Sequence, residues 1–121
     1  MSVRLELAVE HDRVARGDTV RGSVHVVEGG RSRSLSVALL YREYQGKAKR
    51  ATGSGHETRE KLIEGDLIAG SEYSFTLRLP DDAWPAYVCE PTGTRLRWEV
   101  EATSDQPGVD TRASVPIHID S

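Results

Sequence analysis

The chain has 121 residues, of which 37% are hydrophobic and 29% charged, with a formal net charge of -3. That length fits one domain, residues 1–121, and a domain of this size buries roughly two thirds of the surface its unfolded chain exposes, so it needs no disulfide or metal staple. The mildly acidic balance argues against a general nucleic-acid binder, which carries a basic footprint. The one cysteine, Cys89, cannot form an internal disulfide, and the reading is a reduced, cytoplasmic protein.

Charge interrupts the opening residues Met1-Ser2-Val3-Arg4-Leu5-Glu6 at once, so no signal-peptide core is expected there. The longest apolar run, Val37 to Tyr41, falls far short of the roughly 20 residues a membrane span needs. The dominant period is two. Val3, Leu5, Leu7 and Val9 alternate with Arg4, Glu6, Ala8 and Glu10, which predicts a strand with one buried face. Residues 11–18 read as a polar connection ending in the turn signal Gly17-Asp18. Val20, Gly22, Val24 and Val26 mark a second strand, with Gly22 on its inward face where a missing side chain admits a neighbouring backbone or a bulge.

After the turn at 28–32 a third strand spans 34–45, with Leu35, Val37, Leu39 and Tyr41 on one face. Leu40 and Tyr44 lie on the other, so that face is not expected to be wholly exposed. Residues 46–55 carry glycine and basic side chains and predict a mobile surface loop. Residues 57–64 make a polar fourth strand suited to a sheet edge, with a competing weak helix over 59–68 that Gly65 interrupts. Tyr73, Phe75, Leu77 and Leu79 make a fifth strand, and residues 80–93 a long loop with Pro80, Pro85, Pro91, Trp84 and Tyr87. Leu96, Trp98, Val100 and Ala102, then Ala113, Val115, Ile117 and Ile119, predict two strands joined as a hairpin through the turn chemistry of 104–108. The sum is an all-β, two-sheet sandwich of about seven strands.

Three segments resemble a known family, the arrestin-like domains. Ala15-Arg-Gly-Asp-Thr-Val-Arg-Gly-Ser-Val24 is similar to that family's Pro-Gly-Asp/Glu-x-Val-x-Gly-x-Val stretch, with Arg16 where proline is usual. Glu72 to Pro80 resembles its f-x-F-x-L-x-L-P strand, and Leu96 to Ala102 its i-x-Y-x-V-x-A strand, with Trp98 where tyrosine is common. The resemblance spans nearly the whole chain, as one arrestin-like domain where arrestins and the bacterial sporulation-control proteins have two. It implies an immunoglobulin-like sandwich used for protein interaction or scaffolding, without catalysis.

The residues themselves supply no coherent catalytic set. His11, His25, His56 and His118 lack the close spacing of a zinc site and read as surface histidines; His25 and His118 could meet only if their strands pair. Gly53-Ser54-Gly55-His56 lacks a rigid frame for a nucleophile, and the loop lacks the spacing of a phosphate cradle. Glu90 beside Cys89 disfavours a thiolate. Glu99 and Glu101 share a strand face with Arg95 and Arg97, which reads as a solvated face with cross-strand ion pairs rather than a glycosidase pair or a charged recognition surface. The candidate partner-binding residues are therefore Lys47, Lys49 and Arg50 in the basic loop and Trp84 and Tyr87 in the proline-rich loop.

The expected function is a non-catalytic protein-interaction or scaffold module. It has no cofactor and no metal, binds a protein partner, and can form a homodimer through an edge strand. The alternative is a carbohydrate- or small-ligand-binding sandwich.

Overall fold

The computed structural model describes residues 3–15, 17–45, 53–79, 87–89 and 94–120; at 45, 53–57, 87–89, 94–96 and 120 it describes the backbone alone. Among these residues the strands are β1 (Arg4–Val9), β2 (Arg13–Ala15), β3 (Thr19–Glu28), β4 (Ser34–Gln45), β5 (Gly53–Glu64), β6 (Glu72–Arg78), β7 (Tyr87–Cys89), β8 (Thr94–Asp105) and β9 (Thr111–Asp120). They form two sheets. The smaller runs β1-β3-β6, and the larger runs β2-β9-β8-β4-β5, with β7 also paired to β8. All pairings are antiparallel except β2 with β9.

The seven alternating segments of the sequence are β1, β3, β4, β5, β6, β8 and β9. Two short strands add to the expected seven. β2 lies inside the polar connection 11–18, and of its three residues only Val14 turns inward. β7 lies inside the segment read as a loop, pairing Tyr87 with Leu96 and Cys89 with Thr94. Three residues carry too little alternation to register as a strand. β5 also begins earlier than expected: Gly53, Ser54 and Gly55 are laddered to Glu43, Arg42 and Tyr41, so they belong to a strand rather than a loop. The competing helix over 59–68 does not form, and β5 is an edge strand, as its polarity predicts.

The core lies between the sheets and is built from the predicted inward residues. Val20, Val24 and Val26 of β3 and Phe75, Leu77 and Leu79 of β6 and its end face Leu35, Val37 and Leu39 of β4 and Trp98, Val100 and Ala102 of β8. Trp98 is buried and meets its direct cross-strand partner Tyr41 edge-on, with ring centroids 5.4 Å apart.

Two glycines are set by geometry. A Cβ on Gly22 would run into the Ala8 carbonyl oxygen and lie 2.8 Å from the tip of the Phe75 ring, so β1 and Phe75 close over this position. Gly17 has φ of 79°, the left-handed region that costs other residues. The turn it makes lets the Asp18 amide donate to the Ala15 carbonyl at 3.1 Å while Asp18 Oδ2 accepts from the Ala15 amide at 3.3 Å. The Asp18 carbonyl accepts from the Leu79 amide at 2.8 Å, which ties the turn to the end of β6. The Gly-Asp pair of the quoted motif is thus a structural joint.

The two sheets treat their outer faces differently. On the smaller sheet the outward residues Glu6, Arg21 and Thr76 are exposed. On the larger sheet Ala38, Leu40, Glu99, Glu101 and Thr103 point outward by alternation and are nevertheless buried. The expectation of a solvated face around Glu99 and Glu101 is corrected here, because long side chains on adjacent strands fold across the sheet and shield one another. His25 and His118 sit on strands of different sheets and are not neighbours.

Candidate functional site on the outer face of the larger sheet

β4 and β8 run antiparallel with Leu40 opposite Glu99 and Arg42 opposite Arg97. Arg42 reaches diagonally to both carboxylates: its Nη1 donates to Glu99 Oε2 at 2.6 Å and its Nη2 to Glu101 Oε2 at 2.7 Å. On the other side of Glu99, Oε1 accepts from the Tyr44 hydroxyl at 2.7 Å and from Arg97 Nη2 at 2.6 Å. The Arg97 guanidinium also lies over the Tyr44 ring, 5.1 Å from its centroid. Such a stack adds a cation–π attraction to the ion pair.

The electrostatics follow from this arrangement. The Glu99 carboxylate is only 3% exposed, whereas the Arg97 side chain is 50% exposed. Burial by itself would raise the Glu99 pKa, but the hydrogen bonds from Tyr44, Arg97 and Arg42 outweigh it and hold the carboxyl below its usual range. Burial likewise disfavours the charged Arg42 guanidinium, and Glu101 and Glu99 more than offset that. Glu99 is therefore a fixed anion at neutral pH. A glycosidase-type pair needs one carboxyl raised to serve as acid, and Glu99 is moved the opposite way.

Further along the same face the pattern loosens. Arg112 of β9 lies 3.8 Å from Glu101 and 3.9 Å from Asp110, beyond hydrogen-bond reach. Here an open trough of about 350 Å³ is lined by residues of β4, β5, β8 and β9, among them Ser36, Arg59, Thr103 and Arg112. Thr103 Oγ1 is buried and has no hydrogen-bond partner. An unpaired buried hydroxyl costs about 1–3 kcal/mol, and among the described residues this is the buried side-chain polar atom left without a partner. A second open depression, of about 520 Å³, lies beside β2 and the start of β3 and includes Glu10, His11 and Asp18. Among the described residues no three His, Cys, Asp or Glu side chains converge as a metal set.

Lys47, Lys49, Arg50 and Trp84 lie outside the described residues, and Tyr87 is described only as backbone, paired to Leu96 in β7. The sequence reading placed Arg95, Arg97, Glu99 and Glu101 on one face and Tyr44 on the outward face of β4, but it did not join the two strands and did not name Arg42, which completes the network. The signal was present: Arg42 and Tyr44 both fall on the polar side of β4, two and four residues beyond Leu40. Alternation alone does not say that β4 pairs with β8.

The fold these elements build is an arrestin-like β-sandwich. Among solved structures the chain is similar to Spo0M, sporulation control protein, from Bacillus subtilis, with a TM-score of 0.66 and 21% sequence identity. The likeness covers 100% of this chain and 50% of that one, so this chain spans half the length of the Spo0M chain. No protein-family model matches the sequence, and no curated protein sequence matches it. No helix among the described residues is long and apolar enough to cross a membrane.

Proposed function

We propose that this chain is a non-catalytic protein-interaction module of the adaptor or scaffold kind, working in the cytoplasm as one arrestin-like sandwich of residues 1–121. The observation that carries the reading is the Arg42–Glu99–Arg97–Tyr44 array. Its side chains are already fixed to one another, so a partner docking there orders little that is not ordered beforehand. Arginine and tyrosine are also the residue types that most often anchor protein interfaces. Lys47, Lys49, Arg50, Trp84 and Tyr87 enter the proposal on the sequence reading alone, as further partner-binding residues.

The competing role, a carbohydrate-binding sandwich, draws on an aromatic ring free to stack on a sugar. Tyr44, the aromatic on this face among the described side chains, has its hydroxyl committed to Glu99 and a ring face covered by Arg97.

The test is pull-down from the source cell with the intact chain, its Arg97→Glu variant, and Trp84→Ala and Lys49→Glu. One protein captured by the intact chain and lost with Arg97→Glu supports the reading. Capture that survives all three substitutions, or no specific protein at all, removes it.

A further inference from the structure

We propose that the trough beside Thr103 is a binding site for a small zwitterion: a carboxylate seated on Thr103, Ser36 and Arg112, with a cationic nitrogen facing Asp105 and Asp110. The register places Arg112, Thr103, Ser36 and Lys61 in one row across β9, β8, β4 and β5. Thr103 lines the trough and its hydroxyl has no partner. Ser36 Oγ accepts from Arg59 Nη1 at 2.8 Å, which leaves its own proton to donate. Arg112 is held only at 3.8 and 3.9 Å by its two acidic neighbours. Lys61 is spent on Glu64 at 2.7 Å and is not counted. Three donors thus line one trough and none of them is closed by a hydrogen bond to the carboxylates that also line it, and a carboxylate, with two oxygens in a plane, answers a hydroxyl pair and a guanidinium together.

Charge then selects among anions. Asp105 lies two residues beyond Thr103 and Asp110 two before Arg112, both lining the trough, while Glu101 lies two residues from Thr103 on the other side. Asp105 Oδ1 already accepts from Arg33 Nη2 at 3.1 Å and Asp110 Oδ1 from the Gln106 amide at 3.3 Å, so only the second oxygen of each is counted. Two strand residues span about 7 Å, close enough for these carboxylates to repel a dianion at the row. A ligand with one negative charge and a positive nitrogen that distance away satisfies both rows. The volume of about 350 Å³ is at the small end of ligand pockets, which suits such a molecule. The site uses none of Arg42, Glu99, Arg97 and Tyr44; Glu101, which accepts from Arg42 and lines the trough, borders both.

The same pair of charges can come from a free ω-amino acid or from adjacent acidic and basic side chains of a peptide. The test titrates the intact chain, followed by amide NMR, with 4-aminobutyrate, acetate, inorganic phosphate and an end-blocked Asp-Lys dipeptide. The expected result is saturable shifts around Ser36, Thr103 and Arg112 with a zwitterion, at least about tenfold tighter than with acetate or phosphate. Whichever of 4-aminobutyrate and the dipeptide binds tighter names the source. Thr103→Val and, independently, the exposed Arg112→Gln should each abolish saturation with the remaining spectrum unchanged. Equal binding of acetate or phosphate, no saturation by either zwitterion, or undiminished binding by both variants overturns the proposal.

Discussion

Arg42 and Arg97 stand directly opposite each other on β4 and β8, and Glu99 bonds to both, through Oε2 at 2.6 Å and Oε1 at 2.6 Å. Like charges in direct cross-strand register are ordinarily unfavourable. Here the pair is tolerated because one buried carboxylate lies between them and divides its oxygens.

Glu99→Gln should therefore do more than remove one ion pair. It leaves Arg42 and Arg97 facing each other over a neutral amide. Breaking a buried pair from one side costs about 3–5 kcal/mol, and the lower end applies because Arg97 can turn to water. Urea unfolding of the variant checks this, and a double-mutant cycle with Arg42→Met should show strong coupling. Additive losses would mean that the network is not a unit.

The same residue sets a pH dependence. The folded-state pKa of Glu99 lies below its ordinary value of 4.5. Its stabilisation is thus fully present above that value and is lost as pH falls through the lower folded-state pKa. Glu99→Gln should be less stable than the natural chain at neutral pH, and the gap should narrow on acidification below 4.5. Paired unfolding curves at stepwise lower pH measure the gap directly. A gap that stays constant would rule out this linkage.

Gly22→Ala should destabilise by about 1–3 kcal/mol, the usual cost of forcing atoms into a packed region. The added methyl meets the Ala8 carbonyl oxygen, a backbone atom that can yield only if β1 shifts. Thermal unfolding reads the loss, and weaker amide protection along β1 would locate it.

Gly17→Ala should cost about 1–2 kcal/mol for a side chain in the left-handed region, while Gly17→Asn should cost less. The difference between the two variants isolates backbone strain from any change in contacts.

Thr103→Val should leave stability unchanged or raise it by about 1 kcal/mol, because it replaces an unpaired buried hydroxyl with a methyl. A loss of more than that in urea unfolding would show that the hydroxyl has a partner in solution.

The alternation of Val24, Val37, Leu39, Phe75, Leu77 and Val100 was enough to name the core and both sheets' inward faces, since a strand's side-chain period is fixed by its backbone. The Gly17-Asp18 signal marked a joint that the structure fills with two backbone hydrogen bonds and one to the Asp18 side chain. β2 and β7 were not legible, because three residues paired to distant strands leave almost no periodic trace. The central network was only half legible. Arg97, Glu99 and Glu101 share a face by simple counting, but Arg42 lies 57 residues from Glu99 in the chain, and only the pairing of β4 with β8 brings them to 2.6 Å. Tertiary pairing also decided that Glu99 is a buried anion and Thr103 an unpaired hydroxyl. Burial on an outer face depends on the lengths and directions of side chains on neighbouring strands. The sequence by itself determined which residues turn inward; the register between strands decided which outward residues meet, and so where a partner or ligand could be held.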